Sequence, residues 1–218
     1  SLTTSTWESI REQVFDTIHN SQFQNNCLKY ALVVAVLESS FFLFPIILTD
    51  HFNLPEVWLS ILYGVITGLV GYLSSILNTQ LLRHLHIRKI NQIMLKASCV
   101  LSLAYVINFN YLSGTSQFAG YLVIFYLSFL CSNILIINQF MTTSQCIEKN
   151  KVGSGLMTSL TVSVYALASL VTGYIISIVD TSNPLSVSMG YALYLICIFS
   201  FYQRSGNSRP EKRIIEKS

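Results

Sequence analysis

Glu38 is the residue whose type and position most directly suggest chemistry. It sits in Val36-Leu37-Glu38-Ser39-Ser40-Phe41, inside a long apolar run. A charge at mid-bilayer costs roughly 2.5–3.5 kcal/mol on insertion scales, so acids in such runs usually face a cavity and have a task. Two tasks suit a carboxyl there: exchange of a coupling proton, and recognition of a cation. A structural acid, hydrogen-bonded by Ser39, Ser40 or a neighbouring helix, fits as well. Phe41, Phe42 and Phe44 flank Pro45. Aromatics beside a proline kink suit a greasy pocket and a gate. Phenylalanines that face lipid or core are the more ordinary use of the same residues.

A second polar set lies in residues 118–141. Tyr126, Phe129 or Leu130, and Asn133 share one helical face, whose polar groups suit either a cavity wall or hydrogen bonds between helices. Asn138 lies about 140° further round, so it is expected to serve interhelical packing instead. Gly64, Gly68 and Gly71 form one small-residue face, and Gly153, Gly155 and Gly173 with Ser159, Ser163 and Ala166 form another. Such faces let helices cross closely. Arg83, Arg88 and Lys89 make a basic loop with His84 and His86. The two histidines are too isolated for a metal site. The five cysteines show no C-x-x-C or metal-finger spacing and read as small buried residues. No catalytic or nucleotide-binding motif occurs, so neither an enzyme nor a bound cofactor is expected.

The elements that position these residues follow from composition. Of 218 residues, 52% are hydrophobic and 11% charged, against about a quarter charged in soluble domains. Disordered, fibrous and ordinary soluble chains are excluded. A net charge of +3 argues against a nucleic-acid partner. No charge occurs from 57 to 82, from 97 to 147, from 152 to 179 or from 181 to 203. A helix needs about 20 mostly apolar residues to cross a bilayer. The expectation is an all-α membrane protein of six spans, at about 28–49, 57–80, 91–110, 118–141, 153–178 and 186–203. Continuous apolar runs, without the alternation of membrane strands, favour helices over a barrel.

The ends complete the layout. Residues 1–26, with Trp7, Ile10, Val14 and Ile18, read as an amphipathic cytoplasmic linker, and 204–218 as a basic cytoplasmic tail. All thirteen bases fall on one side of this six-span chain. That places both termini in the cytoplasm.

Several stretches carry a family resemblance. They are Asn20-Ser21-Gln22-Phe23; Phe41-Phe42-Leu43-Phe44-Pro45 with Phe52-Asn53-Leu54-Pro55; Leu81-Leu82-Arg83-His84-Leu85-His86-Ile87-Arg88-Lys89; and Asn138-Gln139 followed by Val152 to Leu160. In order and spacing the chain resembles the C-terminal six-helix half of a major facilitator superfamily transporter. It looks most like the drug:proton antiporter branch of the bicyclomycin and chloramphenicol-resistance (Bcr/CflA-like) type. The basic loop lacks that family's glycine and aspartate.

The resemblance implies proton-coupled efflux of small amphipathic molecules or drugs by alternating access, in a bacterial inner membrane. It implies a substrate cavity lined by the first and fourth spans, with Glu38 for coupling and Ser39, Phe41, Phe42, Tyr126 and Asn133 along the wall. Arg83, Arg88 and Lys89 would act in gating or topology. The partner bundle would be the N-terminal half of a longer protein, or a second copy of a half-size one. The competing expectation is a six-span scaffold that assembles membrane partners and transports nothing.

Overall fold

The computed structural model describes residues 20–145, apart from the side chains of Val36, Ser39, Ile66 and Thr67. Beyond that stretch it describes a few helical positions, at 8, 11, 12, 14–16, 18, 19, 159, 163, 166, 167, 170 and 174. The expected fifth and sixth spans, the tail from 204, and Gly155 and Gly173 lie outside the described residues. Every regular element among the described residues is helical, with no strand. Four helices are long and apolar enough to cross a membrane: Ser21–His51, Glu56–His84, Ile87–Tyr111 and Gly114–Gln145. This is the architecture of an integral membrane protein.

Helix α1 (Ser21–Ile46) begins where an uncharged polar stretch meets the apolar run. Asn20 caps it, its Oδ1 accepting from the Gln22 N–H at 2.9 Å and the Phe23 N–H at 3.3 Å. Pro45 lies inside the last turn and has no N–H to donate. The chain then widens into a π-helical turn, Ile47–His51. There the Thr49 hydroxyl lies 3.0 Å from the Pro45 carbonyl and 3.2 Å from that of Ile46. The reversal to the second span runs through Asn53, at φ 51°, a conformation asparagine tolerates better than most residues.

The second span is one rod in three pieces: α2 (Glu56–Val65), a π turn (Ile66–Val70) and α3 (Gly71–His84). Extended Leu85 and His86 lead into α4 (Ile87–Tyr111). The chain reverses again at Leu112 and Ser113. Gly114, at φ 60°, then opens α5 (Gly114–Gln145).

Helix α5 is the hub, packing against α1, α3 and α4. Its two halves bind differently. Towards the end bearing His51, rings dominate: Tyr121 is fully buried and touches Phe44, Phe52, Tyr105 and Phe109. The Asn108 amide donates to the Gln117 carbonyl at 3.0 Å and closes the α4–α5 turn. Gly120 makes room for that amide; a Cβ there would run into Asn108 Oδ1. Towards the end bearing Arg83 and Arg88, amides dominate. Asn78 Nδ2 donates to Asn138 Oδ1 at 2.9 Å, and Asn138 Nδ2 donates to Asn91 Oδ1 at 3.0 Å. Asn138 is completely buried, and its two bonds tie α3 and α4 to α5.

Two outcomes follow. Interhelical hydrogen bonds in membranes average about 0.6 kcal/mol and reach about 1.7. A double-mutant cycle of Asn78→Ala and Asn138→Ala in unfolding experiments should give a coupling in that range; zero coupling would remove the bond from the account. Gly120→Ala should lower stability by about 1–3 kcal/mol, because the Asn108 amide must shift. Thermal unfolding in detergent reads it directly.

Candidate functional site

The site is built where α1, α2 and α5 face one another. Glu38 lies in the middle of α1 and is partly buried. One turn on, on the same face, Phe41 reaches two other helices. Its ring centroid is 5.3 Å from that of Tyr63 on α2 and 4.9 Å from that of Phe129 on α5, the latter edge to face. Edge-to-face pairs place the positive ring edge on the negative ring face and contribute about 0.5–1.5 kcal/mol beyond burial. The Glu38 charge is within electrostatic reach of the Tyr63 hydroxyl. A carboxyl therefore borders an aromatic group drawn from three helices.

The other candidates spread around this group. On α5, Tyr126, Leu130, Asn133 and Ile137 are all partly buried, recurring at steps of three or four. They form a stripe between the buried face of Phe125 and Phe129 and the outward face of Val123 and Leu127. Asn133 lies on that stripe with its Nδ2 donating to the Phe129 carbonyl, 3.1 Å away on its own helix. Tyr126 meets Phe125, whose ring in turn meets that of Phe129. Phe42, adjacent to Phe41 but turned about 100° round the helix, is 45% exposed. Phe42 is thus separated from the aromatic group that Phe41 joins. The Ser39 side chain lies outside the described residues.

Arg83, Arg88 and Lys89 are exposed at one end of the helices, well away from Glu38 in the chain's layout. Gly64 and Gly68 are exposed, and nothing among the described residues lies within 4 Å of a Cβ built at Gly64, Gly68 or Gly71. Only 12% of the second span's apolar stretch is buried, against 38%, 39% and 44% for the other three. Its glycine face is open within this part of the molecule.

Family models, curated proteins and solved structures give no match to this chain. The site must be read from its own geometry. Among the described residues no group of three His, Cys, Asp or Glu side chains is placed to hold a metal. What the arrangement offers is a carboxyl beside aromatic faces. A carboxylate attracts a cation by charge, and ring faces attract it through their quadrupole.

Sequence reasoning missed Tyr63, Asn78 and Asn91. Tyr63 carried no sign that set it apart from Tyr72 in the same span. The asparagines did carry one: three successive spans each hold an Asn near the same membrane face.

Accessibility offers a check. In a cysteine-free background, Glu38→Cys should react with a water-soluble thiol reagent at least about tenfold faster than Val34→Cys. Val34 is one turn nearer the start of α1 and fully buried. Equal rates would mean that Glu38 borders no wetted space.

Proposed function

We propose that the chain is one half of a secondary active transporter of the major facilitator type. In this reading it moves small amphipathic molecules across a bacterial inner membrane by proton-coupled alternating access. The observation that carries the reading is a partly buried carboxyl in the middle of a spanning helix, one turn from aromatic rings contributed by three helices. A lone acid in an apolar span is rarely retained without a task.

Glu38 is the coupling candidate. Phe41, Tyr63 and Phe129 form the adjoining wall, and the stripe from Tyr126 to Asn133 extends it. The partner bundle would be either the other half of a longer chain or a second copy. The two termini would be cytoplasmic, following the distribution of Lys and Arg.

The test is flux. The intact protein is reconstituted in vesicles, and export of a fluorescent amphipathic compound is followed under an imposed proton gradient. Glu38→Gln keeps the shape but cannot ionise. It should cut gradient-driven flux at least about tenfold and flatten its pH dependence. Unchanged flux with unchanged pH dependence would end the coupling role. No gradient-dependent flux from the unaltered protein for any compound tried would favour the scaffold reading.

A further inference from the structure

The buried serines of α4 bond to their own helix, and Ser128 of α5 does not. Ser98 Oγ donates to the Met94 carbonyl at 2.9 Å, and Ser102 Oγ donates to the Ser98 carbonyl at 2.8 Å. Each hydroxyl uses its one proton a turn back along the helix. Ser128 lies in the middle of α5 and is buried, yet its Oγ has no hydrogen-bond partner. A buried hydroxyl left unpaired is costly, and in hydrocarbon no lipid tail can relieve it.

What Ser128 faces follows from the register of α4 and α5. The two helices run antiparallel from the turn at Leu112 and Ser113. Near that turn the Tyr105 and Tyr121 rings meet edge to face at 5.6 Å. Towards the other end Asn138 is bonded to Asn91. Two turns from Tyr105 along α4 is Ser98, and two turns from Tyr121 along α5 is Ser128. Ser98 and Ser128 therefore share a depth, on the faces that the two tyrosines bring together. Ser102 is one turn nearer the tyrosines on the same face of α4. With their protons already used, Ser98 and Ser102 offer oxygens that can only accept. Ser128 can both donate and accept.

We propose that a single water molecule is bound between α4 and α5 at mid-membrane depth, held by Ser98, Ser102 and Ser128. The water donates to the Ser98 and Ser102 oxygens and accepts from the Ser128 hydroxyl. Three partners are what a buried water commonly has. The tyrosine rings set the spacing of the two helices, and serines at the next depth are too short to bridge it. No charged residue occurs from 97 to 147, so an ion would find no counter-charge on these faces; water needs none. The site rests on helix packing and stands whether or not the chain transports anything.

The experiment uses the intact protein in a neutral detergent. If the water is bound, Ser128→Ala deletes one of its partners and should lower the unfolding midpoint by about 2–4 °C. If the hydroxyl is simply unpaired, the same substitution removes a buried polar group at no loss and raises the midpoint. A double-mutant cycle of Ser128→Ala with Ser98→Ala should be non-additive, the double variant losing less than the two single losses together. The same cycle with Ser74→Ala on α3 should be additive, because Ser74 bonds to the Gly71 carbonyl of its own helix. An experimental density map fine enough to show ordered water should place a peak within hydrogen-bond distance of Ser128 Oγ and of Ser98 or Ser102 Oγ. A raised midpoint in Ser128→Ala overturns the proposal, and so does additivity with Ser98→Ala. A map in which Ser128 Oγ bonds directly to a protein group, with no peak between the helices, overturns it as well, whatever the variants do.

Discussion

A buried amide in hydrocarbon has only other protein groups to bond with, and Asn138 meets that constraint from both of its ends. Its oxygen accepts a hydrogen bond from the Asn78 amide and its nitrogen donates one to the Asn91 oxygen. Three helices are thereby fixed in depth and rotation at one end. The neighbouring Gln139 attaches the fourth. Dispersion among apolar side chains gives little such direction, because lipid tails are as apolar as leucine. The aromatic group around Tyr121 does the same work at the other end by shape. Glu38 and Phe41 lie between these two fastened ends, on a helix held at both.

The first four spans were legible because the chain withholds charge where lipid must be faced. The helices run past the apolar stretches at both ends. Span 28–49 lies within a helix from Ser21 to His51, and span 118–141 within one from Gly114 to Gln145. The overshoot is built of Asn, Gln, Ser and Thr, which hydropathy reads as loop. Here those residues cap or back-bond: Asn20 at the start of α1, and Thr142 and Thr143 to carbonyls one turn earlier in α5. The π turns were not legible, since no residue type demands one. Pro45 marked a disturbance in α1 but not its form, and the turn at Ile66–Val70 had no such marker.

The candidate site was legible as a list and not as a place. Glu38 announced itself by charge. Its neighbours depend on which face of α2 meets α1, and in a membrane an apolar face can meet lipid as well as another helix. Tyr63 therefore emerged only from the folded arrangement, while Phe42, equally aromatic, turned away. Residues next to each other in a helix point in different directions, so Phe41, Phe42 and Phe44 cannot all serve one wall.

The side chains seen to fasten the basic end, among the described residues, are carboxamides. Asn78, Asn91, Asn138 and Gln139 gain and lose no protons in the physiological range. Their bonds are therefore indifferent to acidity on either side of a membrane, and ionic strength hardly touches them. The helix that carries Glu38 is thus held in one place whatever the acidity around it. In that respect the carboxamides act as insulation: they keep the shape of the frame apart from the chemistry of its surroundings.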